Sequence, residues 1–111
     1  MEVKTEFSNG KLTAHLAGEI DHHTASAARS EIDTAITRHR PEVLCLDFGG
    51  VGFADSSGIG LIMGRYRVMN GLSGSVELCG LSAELDKIMK LSGIGRLPGI
   101  SMTEGKTKNE N

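Results

Sequence analysis

Leu12, Ala14 and Leu16 alternate with Lys11, Thr13 and His15, the period of two expected of a half-buried strand. Residues 3–8 form a second strand-like run, and Asn9-Gly10 between the two runs supplies the left-handed residues of a tight hairpin. The period then changes. Ala25, Ala28, Ile32, Ala35 and Ile36 recur at helical spacing behind Asp21 or Thr24 as N-cap, and Pro41 closes this helix. Residues 43–48 are an unbroken run of strand formers, the pattern of a buried strand. Ile59, Ile62, Met63, Tyr66 and Met69 set a second helical stripe, expected to face the sheet, and Gly71 ends it. Residues 75–80 predict a further strand. Leu85, Ile88, Met89 and Leu91 predict a third helix between Ser82 and Gly93. Residues 97–102 predict a last short strand, which Pro98 and Gly99 make an edge strand or a poor one.

A hairpin followed by strands alternating with helices predicts a single α/β domain. Its sheet should be small and mixed, and right-handed crossovers would place the helices mainly on one face. With 111 residues the chain can build one core but not two. A net charge of −2 makes no electrostatic case for nucleic acid or an anionic membrane. No apolar run approaches the roughly 20 residues of a membrane span, and the acidic N-terminus does not read as a signal peptide, so a cytoplasmic protein is expected. Cys45 and Cys79 both fall in predicted strands. They are expected as buried free thiols rather than a disulfide, with contact left open if their strands are neighbours. Residues 103–111 are polar, without net charge, and expected to be disordered.

The candidate chemistry gathers where the strand at 43–48 gives way to the second helix. Asp55 and Ser56 fall at that turn, where backbone N–H groups and the helix dipole favour negative charge. A serine hydroxyl there is well placed to accept a phosphate. Other readings of the same residues are weaker. Gly58, Gly60 and Gly64 have part of the spacing of a dinucleotide fingerprint, but the next strand ends in Cys79-Gly80 without a carboxylate for a ribose. The turn reads Ala54-Asp55-Ser56-Ser57-Gly58 rather than Gly-x-Ser-x-Gly, and all four histidines precede it, so a hydrolase order of serine, aspartate, histidine is excluded. Asp21-His22-His23 lacks further metal ligands around it, and adjacent helical residues diverge by about 100°. No metal and no cofactor is expected. On the second helix Ser57, Leu61, Gly64 and Val68 are expected to face away from the sheet between Arg65 and Arg67. That stripe is apolar enough to dock another protein.

The segments 16–25, 55–60 (Asp-Ser-Ser-Gly-Ile-Gly) and 64–66 (Gly-Arg-Tyr) resemble the anti-anti-sigma factors of the STAS domain family, with the likeness running from the hairpin to about Leu97. Asp21-His22-His23-Thr24-Ala25 narrows it to the sporulation branch, the antagonists of the anti-sigma F factor. The resemblance implies a regulatory binding module of transcription control, not an enzyme. It would bind an anti-sigma factor that is also a serine kinase, be phosphorylated on Ser56, and be reset by a serine phosphatase. It also implies a partner surface at Asp21, His23 and Thr24 on one turn, and at Asp55, Ser57, Gly58, Gly60, Leu61 and Gly64 on the other. Residues 1–102 would be the STAS domain, without the apolar stripe of the family's fourth helix in 103–108. The alternatives are a general stress-response antagonist of the same family and a nucleotide-binding STAS module.

Overall fold

The computed structural model describes residues 1–103 as β1 (Glu2–Ser8), β2 (Lys11–Ile20), α1 (His22–His39), β3 (Val43–Ala54), α2 (Ser56–Gly71), β4 (Ser75–Cys79), α3 (Ala83–Ser92), a 3-10 turn (Ile94–Arg96) and β5 (Ile100–Met102). Apart from Thr103, the tail expected to be disordered lies outside the described residues.

The five strands are ordered β1-β2-β3-β4-β5. Asn9 (φ 52°) and Gly10 (φ 79°) are both left-handed, so the hairpin closes in two residues and pairs β1 antiparallel to β2. The remaining pairs are parallel. Leu12, Leu44, Val76 and Ile100 align across the sheet, as do Ala14, Leu46 and Leu78. These side chains are buried and form one core with Ala28, Ile32 and Ile36 of α1, Ile62 and Met69 of α2, and Leu85 and Met89 of α3. The helices therefore cover one face. On the other face the period of two leaves Thr13 and His15 of β2, Cys45 and Asp47 of β3, and Glu77 and Cys79 of β4. Polar and charged side chains pair across it. His15 Nδ1 lies 2.7 Å from Asp47 Oδ2, and Lys11 Nζ lies 2.9 Å from Glu77 Oε1.

Three elements differ from expectation. β3 does not stop at Phe48 but continues to Ala54, because Gly50, Val51, Phe53 and Ala54 still pair with Ala17 to Ile20 through two register shifts. This extension carries the strand to the start of α2. In α3 only Leu85 and Met89 are buried, whereas Ile88 is 37% and Leu91 79% exposed. A ten-residue helix at the sheet's far edge covers the core with a narrower stripe than its sequence offers. The last strand is three residues long, since Leu97 to Gly99 form the turn that enters it. Tyr66 Oη donates to the Pro98 carbonyl at 2.7 Å and ties that turn to α2.

Candidate functional site

β2 and β3 are parallel neighbours whose last paired residues are Ile20 and Ala54, so α1 and α2 begin side by side at the carboxyl end of the sheet. Each begins with an aspartate in extended conformation. Asp21 is engaged through Oδ1 in a reciprocal capping box. Its Oδ1 accepts from the backbone N–H groups of His23 and Thr24, both at 2.9 Å, while the Thr24 hydroxyl oxygen accepts from the Asp21 N–H at 2.9 Å. These bonds, first the Thr24 N–H, hold the Asp21 carboxyl below its ordinary pKa range. His23 itself is exposed.

Asp55 makes a simpler cap. Its Oδ1 accepts only the Ser57 N–H, at 2.8 Å, and its own N–H donates to the Ile20 carbonyl at 3.1 Å. Asp55 and Ser56 are exposed, Ser57 is half-buried, and Gly58 is buried. A Cβ at Gly58 would stand 3.2 Å from the Ala54 Cβ, so this glycine lets α2 pass close over the end of β3. Gly60 and Gly64 differ, because nothing lies within 4 Å of where their Cβ atoms would be. With Ser57 they line one wall of an open groove of about 620 Å³ between α1 and α2. Its other residues include His22, Ser26 and Arg29 of α1 and Arg65 and Arg67 of α2, and no carboxylate lines it among the described residues.

Leu61 corrects one expectation. It does not face outward with Gly64 and Val68 but is 4% exposed, in the core with Ile62 and Met69, while Ile59, Met63 and Tyr66 pack at the core margin. The physical reason is that α2 packs on α1 as well as on the sheet. Burying a leucine there contributes about 1.5–3 kcal/mol, so the helix turns Leu61 inward. Arg65 follows it. Expected to flank an exposed stripe, Arg65 is 4% exposed, with Nε 2.8 Å from Asp33 Oδ1 of α1. The contact is ionic rather than an aligned hydrogen bond, and Arg65 Nη1 is buried without a hydrogen-bond partner. Burial lowers the Arg65 pKa, only partly opposed by the Asp33 charge, with Arg29 adding repulsion. Thus the structure brings Asp55, Ser56, Ser57, Gly60 and Gly64 together beside Asp21 and Thr24, and removes Leu61 and Arg65 from the surface. The α1 wall of the groove, His22, Ser26 and Arg29, has no counterpart in the sequence reading. No spacing within α1 marks which of its polar residues α2 will meet.

The STAS domain model matches residues 2–107. The chain belongs to the STAS domain family. Within it, this STAS domain is 33% identical over 100 residues to the anti-sigma F factor antagonist of Paenibacillus polymyxa, covering 90% of this chain and 86% of that protein. It is also similar to the solved structure of the anti-sigma factor antagonist SpoIIAA in its unphosphorylated form, with TM-score 0.77 and 29% identity over 96% of this chain and 91% of that one. The phosphorylated form of the Bacillus cell fate determinant SpoIIAA matches with TM-score 0.71 and 29% identity, covering 96% and 95% of the two chains. Among the described residues no helix is long and apolar enough to cross a membrane.

Proposed function

We propose that this STAS domain is an anti-sigma factor antagonist of the sporulation type, switched by phosphorylation of Ser56. In the unphosphorylated state it binds an anti-sigma factor that is also a serine kinase and so releases the sigma factor. The kinase transfers phosphate from its own ATP to the Ser56 hydroxyl, and a serine phosphatase removes it. The observation that carries this reading is the exposed Ser56 hydroxyl at the start of α2, next to the open N-cap Asp55 and to the glycine-walled groove. The names of the relatives support the antagonist role, and SpoIIAA exists in both phosphorylated and unphosphorylated forms.

The geometry suits a switch that needs no refolding. A phosphate carries about −1.5 to −2 charges, and a helix N-terminus accommodates it locally. At a docked interface the same charge must be desolvated beside Asp55 and the neighbouring helix start at Asp21, which favours release of the partner. Gly60 and Gly64 leave room for a partner's backbone to approach α2. Partner contact is assigned to them together with Asp21, His23, Thr24, Asp55 and Ser57, while Leu61 and Gly58 support the surface from beneath. The domain acts as substrate and binding module, with chemistry supplied by the kinase and the phosphatase.

Phosphate transfer from labelled ATP by the cognate anti-sigma kinase tests this reading. Wild type and Ser57→Ala should be labelled, Ser56→Ala should not, and unphosphorylated Ser56→Ala should still capture the kinase. Labelling of Ser56→Ala at the wild-type rate would place the acceptor elsewhere. Equal capture of the kinase by phosphorylated and unphosphorylated protein would remove the switch.

A further inference from the structure

The sulfurs of Cys45 and Cys79 lie 3.1 Å apart on the polar face of the sheet. Cys45 is opposite Glu77 and Cys79 is opposite Asp47, so the two are diagonal neighbours on adjacent parallel strands. Their sulfurs are already inside ordinary van der Waals contact, and about one ångström of approach separates them from a covalent bond. Their surroundings are unequal. Cys45 is 4% exposed, and the Lys11–Glu77 ion pair crosses β3 from β2 to β4 on this face. Burial, then the contact with Cys79, pushes the Cys45 thiol up to about 12. Cys79 is half-buried and opens onto a groove of about 780 Å³ that includes Phe48, Val51 and Leu81.

We propose that Cys45 and Cys79 form a modification site, a dithiol that a hydroperoxide converts to an intramolecular disulfide. Cys79 is the residue the oxidant reaches. Its thiolate attacks one peroxide oxygen, the O–O bond breaks, and Cys79 becomes a sulfenic acid as hydroxide leaves and takes up a proton. The Cys45 sulfur then attacks the Cys79 sulfur and gives up its proton, the S–O bond breaks, and water leaves. Two thiols have lost two electrons, and one hydrogen peroxide has become two waters. Cys45, shielded from solvent, acts as the resolving partner and needs no access of its own. The loop closed in this way contains the Ser56 turn and all of α2, so oxidation ties the strand before the switch to the strand after it.

The test uses the reduced full chain exposed to hydrogen peroxide at a concentration where it stays monomeric. Wild type should lose the mass of two hydrogens and yield one proteolytic species joined through Cys45 and Cys79, both reversed by dithiothreitol. Cys45→Ser should instead accumulate a Cys79 sulfenic acid that dimedone traps, whereas Cys79→Ser should leave Cys45 unoxidised over the same exposure. The wild-type mass is decisive even where a variant folds poorly. Two free thiols after exposure, overoxidised Cys79 beside alkylatable Cys45, or disulfides only between chains would each overturn the proposal.

Discussion

Helices α1 and α2 start side by side, two residues beyond the paired strand ends Ile20 and Ala54, and both have an aspartate N-cap. They differ in how much of that aspartate the helix itself uses. Asp21 is held by two backbone N–H groups, and the Thr24 hydroxyl closes the box. Asp55 takes one N–H and is followed by an exposed hydroxyl. A closed cap commits more of its aspartate to the helix, so Asp21 meets a partner with less of its carboxylate free than Asp55 does. An open one gives up some stability and leaves a carboxylate and a serine available to another protein. The same residue type at equivalent positions can therefore serve mainly the fold at one strand end and mainly the partner at the next.

The largest expected effect breaks the contrast directly. Ser56→Asp places charge at the open start, and binding of the kinase should weaken a few hundredfold, about 3–4 kcal/mol, with the fold retained. Titration calorimetry and circular dichroism on one preparation check both halves. Within tenfold of wild-type affinity, the open cap would not be the contact.

Next in size is the ion pair that holds the two helices together behind the caps. Asp33→Ala leaves Arg65 buried and unpaired. Because the Asp33 side chain is 40% exposed, the cost should fall below that of a fully buried pair, at about 2 kcal/mol in urea unfolding. Arg65→Met should be neutral or stabilising, since it removes the buried charge as well as its partner's task. Equal losses in both variants would show a cooperative bridge instead.

The caps themselves should rank in the same order as their bonds. Asp21→Ala should lower the thermal midpoint more than Asp55→Ala does. The lowered pKa of Asp21 gives this a pH signature. A depressed carboxyl pKa contributes stability above its unfolded-state value, about 3.9, and loses it as pH falls through the folded value. The advantage of wild type over Asp21→Asn should therefore be full near neutrality and vanish in strong acid. A pH-independent difference would assign it to packing.

The smallest effect has the opposite sign for stability. Gly60→Ala and Gly64→Ala meet nothing within 4 Å, so each should stabilise α2 by roughly 0.5–1 kcal/mol. Gly58→Ala should forfeit that gain against the Ala54 Cβ, 3.2 Å away. If these glycines are kept open for a partner, both stabilised variants should bind the kinase more weakly. Unchanged binding would move the interface off the groove.

Much of this was legible in the chain because its signals are local. Asn9-Gly10 fixes the hairpin, the alternation from Lys11 to Leu16 fixes the faces of β2, and Asp55-Ser56 marks the turn from which the second helix starts. What was not legible depends on two elements meeting. α2 is apolar around much of its circumference, so periodicity alone could not tell the side facing α1 from the side facing water, and Leu61 and Arg65 were misplaced together. Pairing with β2 carried β3 through glycines that would otherwise end a strand. The proximity of the two cysteines required the order of the sheet, not the sequence around either one.

The contact between Arg65 and Asp33 also restricts the routes by which relatives of this chain can diverge. Losing the aspartate first strands a charge in the interior, whereas replacing the arginine first by an apolar residue leaves an acid whose side chain is 40% exposed, with its Oδ1 buried. The two orders of substitution lead to the same pair of residues through intermediates of unequal fitness. Descendants should therefore more often hold an apolar residue at 65 beside a surviving Asp33 than an arginine facing a neutral side chain.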